Sequence, residues 1–174
     1  ATNKGEIVGF AVAVEGWQGY FPFGHLGGGN MIPEQVKAYM KKICALPCPK
    51  IFHNAQYDVG WLEASGIKVN GEIIDTMIAA ALIDENRYQY SLNSLSIDYL
   101  GEIKAETDLK EAAAAHGVDP KKDMWMLPAE HVGYYAEQDA RLTLLLWQRF
   151  KQEIQTQSLS TVWELEKDLI PILI

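Results

Sequence analysis

The chain has 174 residues, 48% apolar and 22% charged. That size and balance fit one ordinary globular domain and exclude a disordered or collagen-like chain and a complete multidomain polymerase, and no uninterrupted apolar run approaches the ~18–20 residues of a membrane span. Fifteen basic against 23 acidic residues leave a net charge of −8, the wrong sign for a protein that wraps duplex DNA but no obstacle to an enzyme whose carboxylates hold metal ions.

Ile7 to Val14 is a continuous apolar run rich in β-branched residues, which predicts a strand buried on both faces. Glu15-Gly16 is a turn, and Trp17 to Phe23 is the hairpin partner. Gly24 to Asn30 reads as a flexible loop. It lacks the Gly-Lys-Ser/Thr ending of a phosphate-cradling loop, and its His25 is expected to face solvent. Pro33 opens a helix toward Leu46, with Val36, Met40 and Ile43 on one face and Pro47 and Pro49 beyond its end. Cys44 and Cys48 are too few for a disulfide framework and read as reduced thiols of a cytoplasm-like compartment. Lys50 to His53 is a short strand, and a helix follows from about Asn54 with Gly66 as its cap. One or two short strands lie between Ile67 and Asp75. Helices follow over Thr76 to Ile83, Ser91 to Leu100, Thr107 to His116 and, longest of all, Pro128 to Ile154. Strands first, then helices alternating with short strands, predict an α/β fold or an α+β fold with a mixed sheet.

Two local patterns carry chemistry. In His53-Asn54-Ala55-Gln56-Tyr57-Asp58, Asn54 and Asp58 stand four apart at a helix start that follows a strand. In Tyr134-Tyr135-Ala136-Glu137-Gln138-Asp139-Ala140, Tyr135 and Asp139 stand four apart inside the long helix, just ahead of Leu142, Leu144, Leu145, Leu146 and Trp147. An acid on the inner face of an apolar helix needs a metal, a cation or several hydrogen bonds. Two such acids sharing a metal site would suit phosphodiester hydrolysis, with the tyrosine hydroxyl orienting the attacking water. Each pattern alone has a plainer reading: Asn-x-x-x-Asp as a helix cap with a solvated acid, Tyr-x-x-x-Asp as a packing or surface pair. Asp75 reads as structural and His53 as a packing residue. His131 reads as a surface residue, Lys121-Lys122 as a solvated turn, and Trp61, Trp125, Trp147 and Trp163 as core or interface residues.

Taken together, the two patterns resemble the second and third exonuclease motifs of bacterial and phage family A DNA polymerases, the third in its tyrosine form. Asp58 and Asp139 are 81 residues apart. The segments Ile74-Asp75-Thr76-Met77, Ser91-Leu92-Asn93-Ser94-Leu95 and Leu127-Pro128-Ala129-Glu130 are also similar to that family. Trp163 to Pro171 is similar to the stretch that joins such domains to the polymerase body.

The resemblance implies a ribonuclease-H-like α/β fold, a mixed sheet flanked by helices. Residues 1–160 would form a 3′→5′ proofreading exonuclease and 161–174 the start of a connection toward a polymerase domain of the same parent chain. Asp58 and Asp139 match two of the family's four metal-binding acids, Tyr135 matches the water-orienting tyrosine, and Asn54 matches a polar position beside the second motif, where contact with substrate or ligand is expected. The cofactor would be two Mg²⁺ ions, with Mn²⁺ able to substitute. The partner would be the single-stranded 3′ end of DNA, with no membrane, in the cytoplasm of a bacterial or phage-infected cell.

The family's first motif, Asp-x-Glu, does not occur in the chain. With no initial methionine and an apolar end at Ile170-Pro171-Ile172-Leu173-Ile174, the sequence reads as a piece of a longer chain. That motif would then lie upstream, leaving the sheet without its first strand. A catalytically silent scaffold of the same fold and a free-standing RNA-processing exonuclease are the alternatives.

Overall fold

The computed structural model describes residues 5–103 and 106–173. The reading of the chain ends rests partly on residues 1–4 and 174, which lie outside the described residues. The chain divides into two compact units, one from segments 1–41 and 104–141, the other from 42–103 and 142–174.

In the first unit, β1 (Gly9–Val14) and β2 (Trp17–Pro22) form an antiparallel hairpin across the Glu15-Gly16 turn, with Ala11 opposite Tyr20 and Phe10 opposite Phe21. Gly16 sits at φ 78, a conformation open to glycine at no steric cost in a two-residue hairpin turn. β1 is half-buried from Gly9 to Ala13 and exposed at Val14, rather than buried on both faces. Among the described residues β2 alone pairs with it, and the Phe10 and Phe21 rings stack at 5.0 Å on one side of the pair. Helix α1 (Pro33–Ala45) begins at its proline and buries Val36, Met40 and Cys44, spaced four apart on one stripe.

The second unit is built around a parallel pair, β3 (Lys50–Phe52) beside β4 (Ile73–Asp75), with Phe52 opposite Asp75. α2 (Ala55–Ala64) joins them. It ends in a Schellman arrangement, with Gly66 at φ 73, Ile67 N–H on the Leu62 carbonyl and Gly66 N–H on the Glu63 carbonyl. Only the last three residues of the Ile67 to Asp75 stretch are extended as a strand. Then follow α3 (Thr76–Ile83) and α4 (Leu92–Leu100). The second is capped by the Ser91 hydroxyl at one end and by left-handed Gly101 at the other.

α5 (Thr107–His116) closes on Gly117 at φ 67 and is followed by a 3₁₀ turn over Met124–Met126. α6 (Ala129–Thr156) is the longest helix among the described residues, one residue later at its start than the sequence predicts. α7 (Ser160–Leu173) is a further helix, beyond those the sequence predicts. Pro171 falls in its final turn, where few backbone bonds remain to be lost, so the proline does not prevent the helix.

The cores form within each unit. Leu109, Ala113, Leu127 and Val132 cluster in the first, with Tyr20 and Tyr135 packed against them. Ile74, Ala79, Ala80, Leu95, Leu146, Phe150, Ile154 and Trp163 cluster in the second, where Trp163 also meets Trp147 at 5.2 Å. Among the described residues the chain thus combines helices with one parallel and one antiparallel strand pair, the α/β class expected. No helix among the described residues is long and apolar enough to cross a membrane.

Candidate nuclease site

Asn54 is not the first residue of a regular helix. It is the N-cap of α2 in the left-handed region (φ 68, ψ 61), and its side chain makes no capping bond. The cap comes from elsewhere. Asp75, only 3% exposed, accepts the Asn54 N–H on Oδ1 at 3.0 Å and the Ala55 N–H on Oδ2 at 2.7 Å. The same carboxylate caps α3 through the Met77 N–H at 2.8 Å. One buried acid therefore satisfies the starts of two helices, and the positive ends of both favour its charge. This agrees with the structural reading of Asp75 and corrects the helical one of Asn54.

Asp58 lies in the first turn of α2 and is exposed. Beside this segment, His53 bonds through Nδ1 to the Thr76 hydroxyl at 2.9 Å, and that hydroxyl donates to the Phe52 carbonyl. His53 is thus half-buried and tied to the first residue of α3.

Tyr135 and Asp139 stand one turn apart on α6, both half-buried. The Tyr135 ring packs on the Leu109, Ala113, Leu127 and Val132 cluster. It also lines a shallow hollow with Leu109, Lys110 and Pro120. Oδ1 of Asp139 is shielded from solvent. Asn54 and Asp58 belong to the second unit, Tyr135 and Asp139 to the first. Glu137, between the last two in sequence, accepts the Tyr20 backbone N–H at 3.1 Å and so fastens β2 to α6.

Carboxylates are hard oxygen donors of the kind Mg²⁺ takes, and Mg²⁺ is commonly held by one or two of them with waters and substrate phosphates. Among the described residues no group of three or more His, Cys, Asp or Glu gathers to hold an ion. Asp58 and Asp139 each offer one such carboxylate, the first in the second unit and the other in the first.

The glycine loop departs most from expectation. His25 is 3% exposed, not solvent-facing. Its Nδ1 lies 3.0 Å from the Leu127 carbonyl oxygen, and its Nε2 lies 2.6 Å from the Tyr20 hydroxyl. The Asn30 side chain closes the loop by accepting the His25 N–H and donating to the His25 carbonyl. Leu26 N–H donates to the Trp125 carbonyl, and Ala129 N–H donates to the Gly28 carbonyl. Burial lowers the pKa of His25, opposed by the carbonyls of Leu127 and Met124, and burial pushes the Tyr20 phenol well up. Both groups stay neutral near pH 7. No local sequence signal links residue 25 to residue 127.

Of the remaining residues, His131 is partly exposed near Glu130, and its ring lies 6.0 Å from that of His116. Lys121 and Lys122 form the expected turn, both N–H groups donating to Asp119 Oδ1. Trp125 is 44% exposed and so is not a core residue.

Comparison with known proteins carries the assignment further. A family model described as 3′-5′ exonuclease matches residues 25–155, a span that contains Asn54, Asp58, Tyr135 and Asp139. The chain is 40% identical over 171 residues to the DNA-directed DNA polymerase of Pseudomonas phage M6, covering 96% of this chain and 26% of that protein. It is 30% identical over 184 residues to DNA polymerase I of Pseudomonas aeruginosa, covering 98% of this chain and 19% of that one. The chain thus spans about a quarter or less of the length of these relatives. In fold it is similar to a solved structure of the POL domain of Pol1 from M. smegmatis with DNA primer-template and dNTP. The TM-score is 0.60 at 21% identity, over 87% of this chain and 22% of that one. The match across residues 25–155 and the 40% identity to a phage polymerase establish that the chain belongs to the 3′-5′ exonuclease family of family A DNA polymerases.

Proposed function

We propose that this chain is the proofreading exonuclease of a DNA polymerase, hydrolysing the 3′-terminal phosphodiester of single-stranded or frayed DNA to release nucleoside monophosphates. The observation that carries the reading is the family match over residues 25–155, which includes all three reactive side chains. Residues 1–160 form the exonuclease in this reading, and 161–174 begin the connection to a polymerase domain.

Asp58 and Asp139 would hold Mg²⁺, with Mn²⁺ able to substitute. Two such ions supply charge stabilisation at the phosphodiester and a nucleophile from water at neutral pH. The Tyr135 hydroxyl orients the attacking water, and its half-buried ring, packed on the Leu127 cluster, limits how far that hydroxyl can wander. Asn54 contacts the substrate strand beside Asp58. Preference for mismatches arises from unpairing: a mispaired 3′ end melts more readily and reaches the site more often, with no base readout required.

The test is digestion of a 5′-labelled single-stranded DNA oligonucleotide with Mg²⁺. It is run on this chain and on the longest natural chain that contains it. Stepwise shortening from the 3′ end, abolished by EDTA and by Asp139→Ala, is the expected result. Absence of shortening in folded protein of either length would leave a silent scaffold. Faster cleavage of an RNA oligonucleotide than of DNA would favour an RNA-processing enzyme, since the 2′-hydroxyl is what distinguishes the two.

A further inference from the structure

The glycine loop and the start of α6 are joined at four points within the first unit. Leu26 N–H meets the Trp125 carbonyl, His25 meets the Leu127 carbonyl, and the Gly28 carbonyl takes the first N–H of α6 from Ala129. At the fourth point the backbones touch. A Cβ on Gly27 would stand 2.4 Å from the Pro128 nitrogen and 2.7 Å from the Leu127 carbonyl carbon. From the other side, Tyr20 binds His25 through its hydroxyl and Glu137 through its backbone N–H. Glu137 lies between Tyr135 and Asp139.

His25 is the centre of this arrangement. A carbonyl only accepts, so the proton of the neutral ring is on Nδ1 and Nε2 accepts from Tyr20. A buried group that must donate on one edge and accept on the other, while staying uncharged, matches neutral imidazole. Burial, which lowers the pKa of His25, keeps it in that form.

We propose that His25 is a positioning residue: through the Leu127 carbonyl and Tyr20 it sets where and at what rotation α6 begins, and hence the pose of Tyr135 and Asp139. This rests on the reading of those two side chains as reactive groups given above. A helix transmits rotation at its start along its length, because each turn is bonded to the last. Asp139 lies ten residues beyond Ala129, roughly 15 Å along the axis. Misplacement by about 1 Å far from the chemistry can cost about 10²-fold in rate. The loop need not touch substrate to control the reaction.

The test measures amide hydrogen exchange in this chain and in the variants His25→Ala, His25→Asn and Tyr20→Phe, with exonuclease kinetics alongside. His25→Ala is expected to speed exchange across residues 129–139 about tenfold, the effect of losing roughly one net hydrogen bond, while residues 76–83 of α3 stay unchanged. His25→Asn, which keeps a donor near the Leu127 carbonyl, should restore most of the protection. Tyr20→Phe, which keeps the ring and deletes only the hydroxyl, should give a smaller effect at the same place. In protein that degrades DNA, His25→Ala should lower kcat about 10²-fold with little change in KM. Unchanged exchange in both His25→Ala and Tyr20→Phe, or acceleration of equal size in 129–139 and 76–83, would overturn the proposal. If the parent protein has no nuclease activity, the reading of Tyr135 and Asp139 fails, while the exchange pattern still decides whether His25 sets the start of α6.

Discussion

Asp75 accepts the N–H of Ala55 at 2.7 Å across twenty residues of chain, and through that contact a strand end holds the first turn of the helix that carries Asp58. The same carboxylate holds Asn54 and Met77. Asp75→Ala would leave three backbone donors short of their acceptor. It should cost about 3 kcal/mol, on the basis of ~1–3 kcal/mol for each buried donor left unsatisfied and partial relief by water. Asp75→Asn keeps one acceptor oxygen but turns an N–H toward another donor, and about half that loss is expected. Urea unfolding of the two variants beside the parent measures both.

Asn54 combines a conformational role with the proposed substrate role, and two substitutions separate them. The left-handed backbone at φ 68 is cheap for glycine and costs most other residues about 1–2 kcal/mol. Asn54→Gly should therefore leave stability nearly unchanged and raise KM for a single-stranded oligonucleotide. Asn54→Ala should do the same to KM and lose about 1 kcal/mol as well. A normal KM in Asn54→Gly would confine the residue to its backbone role.

Tyr135→Phe retains the ring that packs on Leu109, Ala113, Leu127 and Val132. Thermal unfolding should move little. If the hydroxyl orients water, kcat and kcat/KM should fall together, by about 10²-fold. Loss in KM alone would place the ring against substrate instead.

His25 makes stability depend on pH in a definite direction. Its folded pKa lies below the ordinary value because burial disfavours the cation. The unfolded chain therefore binds a proton at about pH 6.5 that the folded chain still refuses. The stability associated with neutral His25 is complete above that pH and is lost as pH falls below it toward the depressed folded value. The difference in unfolding free energy between the parent and His25→Asn should shrink as pH drops from 7 to 5. A difference that is flat over that range would contradict the assignment.

Gly27 is a steric test of the loop's contact with α6. Its φ is not in the left-handed region, so Gly27→Ala has no backbone strain to complicate the result. The added methyl would meet the Leu127-Pro128 peptide and force one segment to move. Overpacking of this kind costs about 2 kcal/mol. A lowered Tm is expected, with hydrogen exchange faster at the start of α6.

The sequence by itself determined what short-range chemistry controls. Pro33 starts α1, Ser91 and Gly101 bound α4, Gly117 closes α5, and Gly66 ends α2, because caps and turns depend on residues within about four positions of each other. The two motifs, their spacing and their similarity to the exonuclease family were also legible, since they are patterns along the chain. Only the tertiary structure decided the partners of the buried polar groups. Nothing near His25 in sequence shows that its ring meets the carbonyl of Leu127, 102 residues away. Nothing near Asn54 shows that its cap is Asp75 rather than its own side chain. A buried donor must be satisfied by whatever acceptor the closed chain brings to it, so those pairings are properties of the fold rather than of any local run of residues.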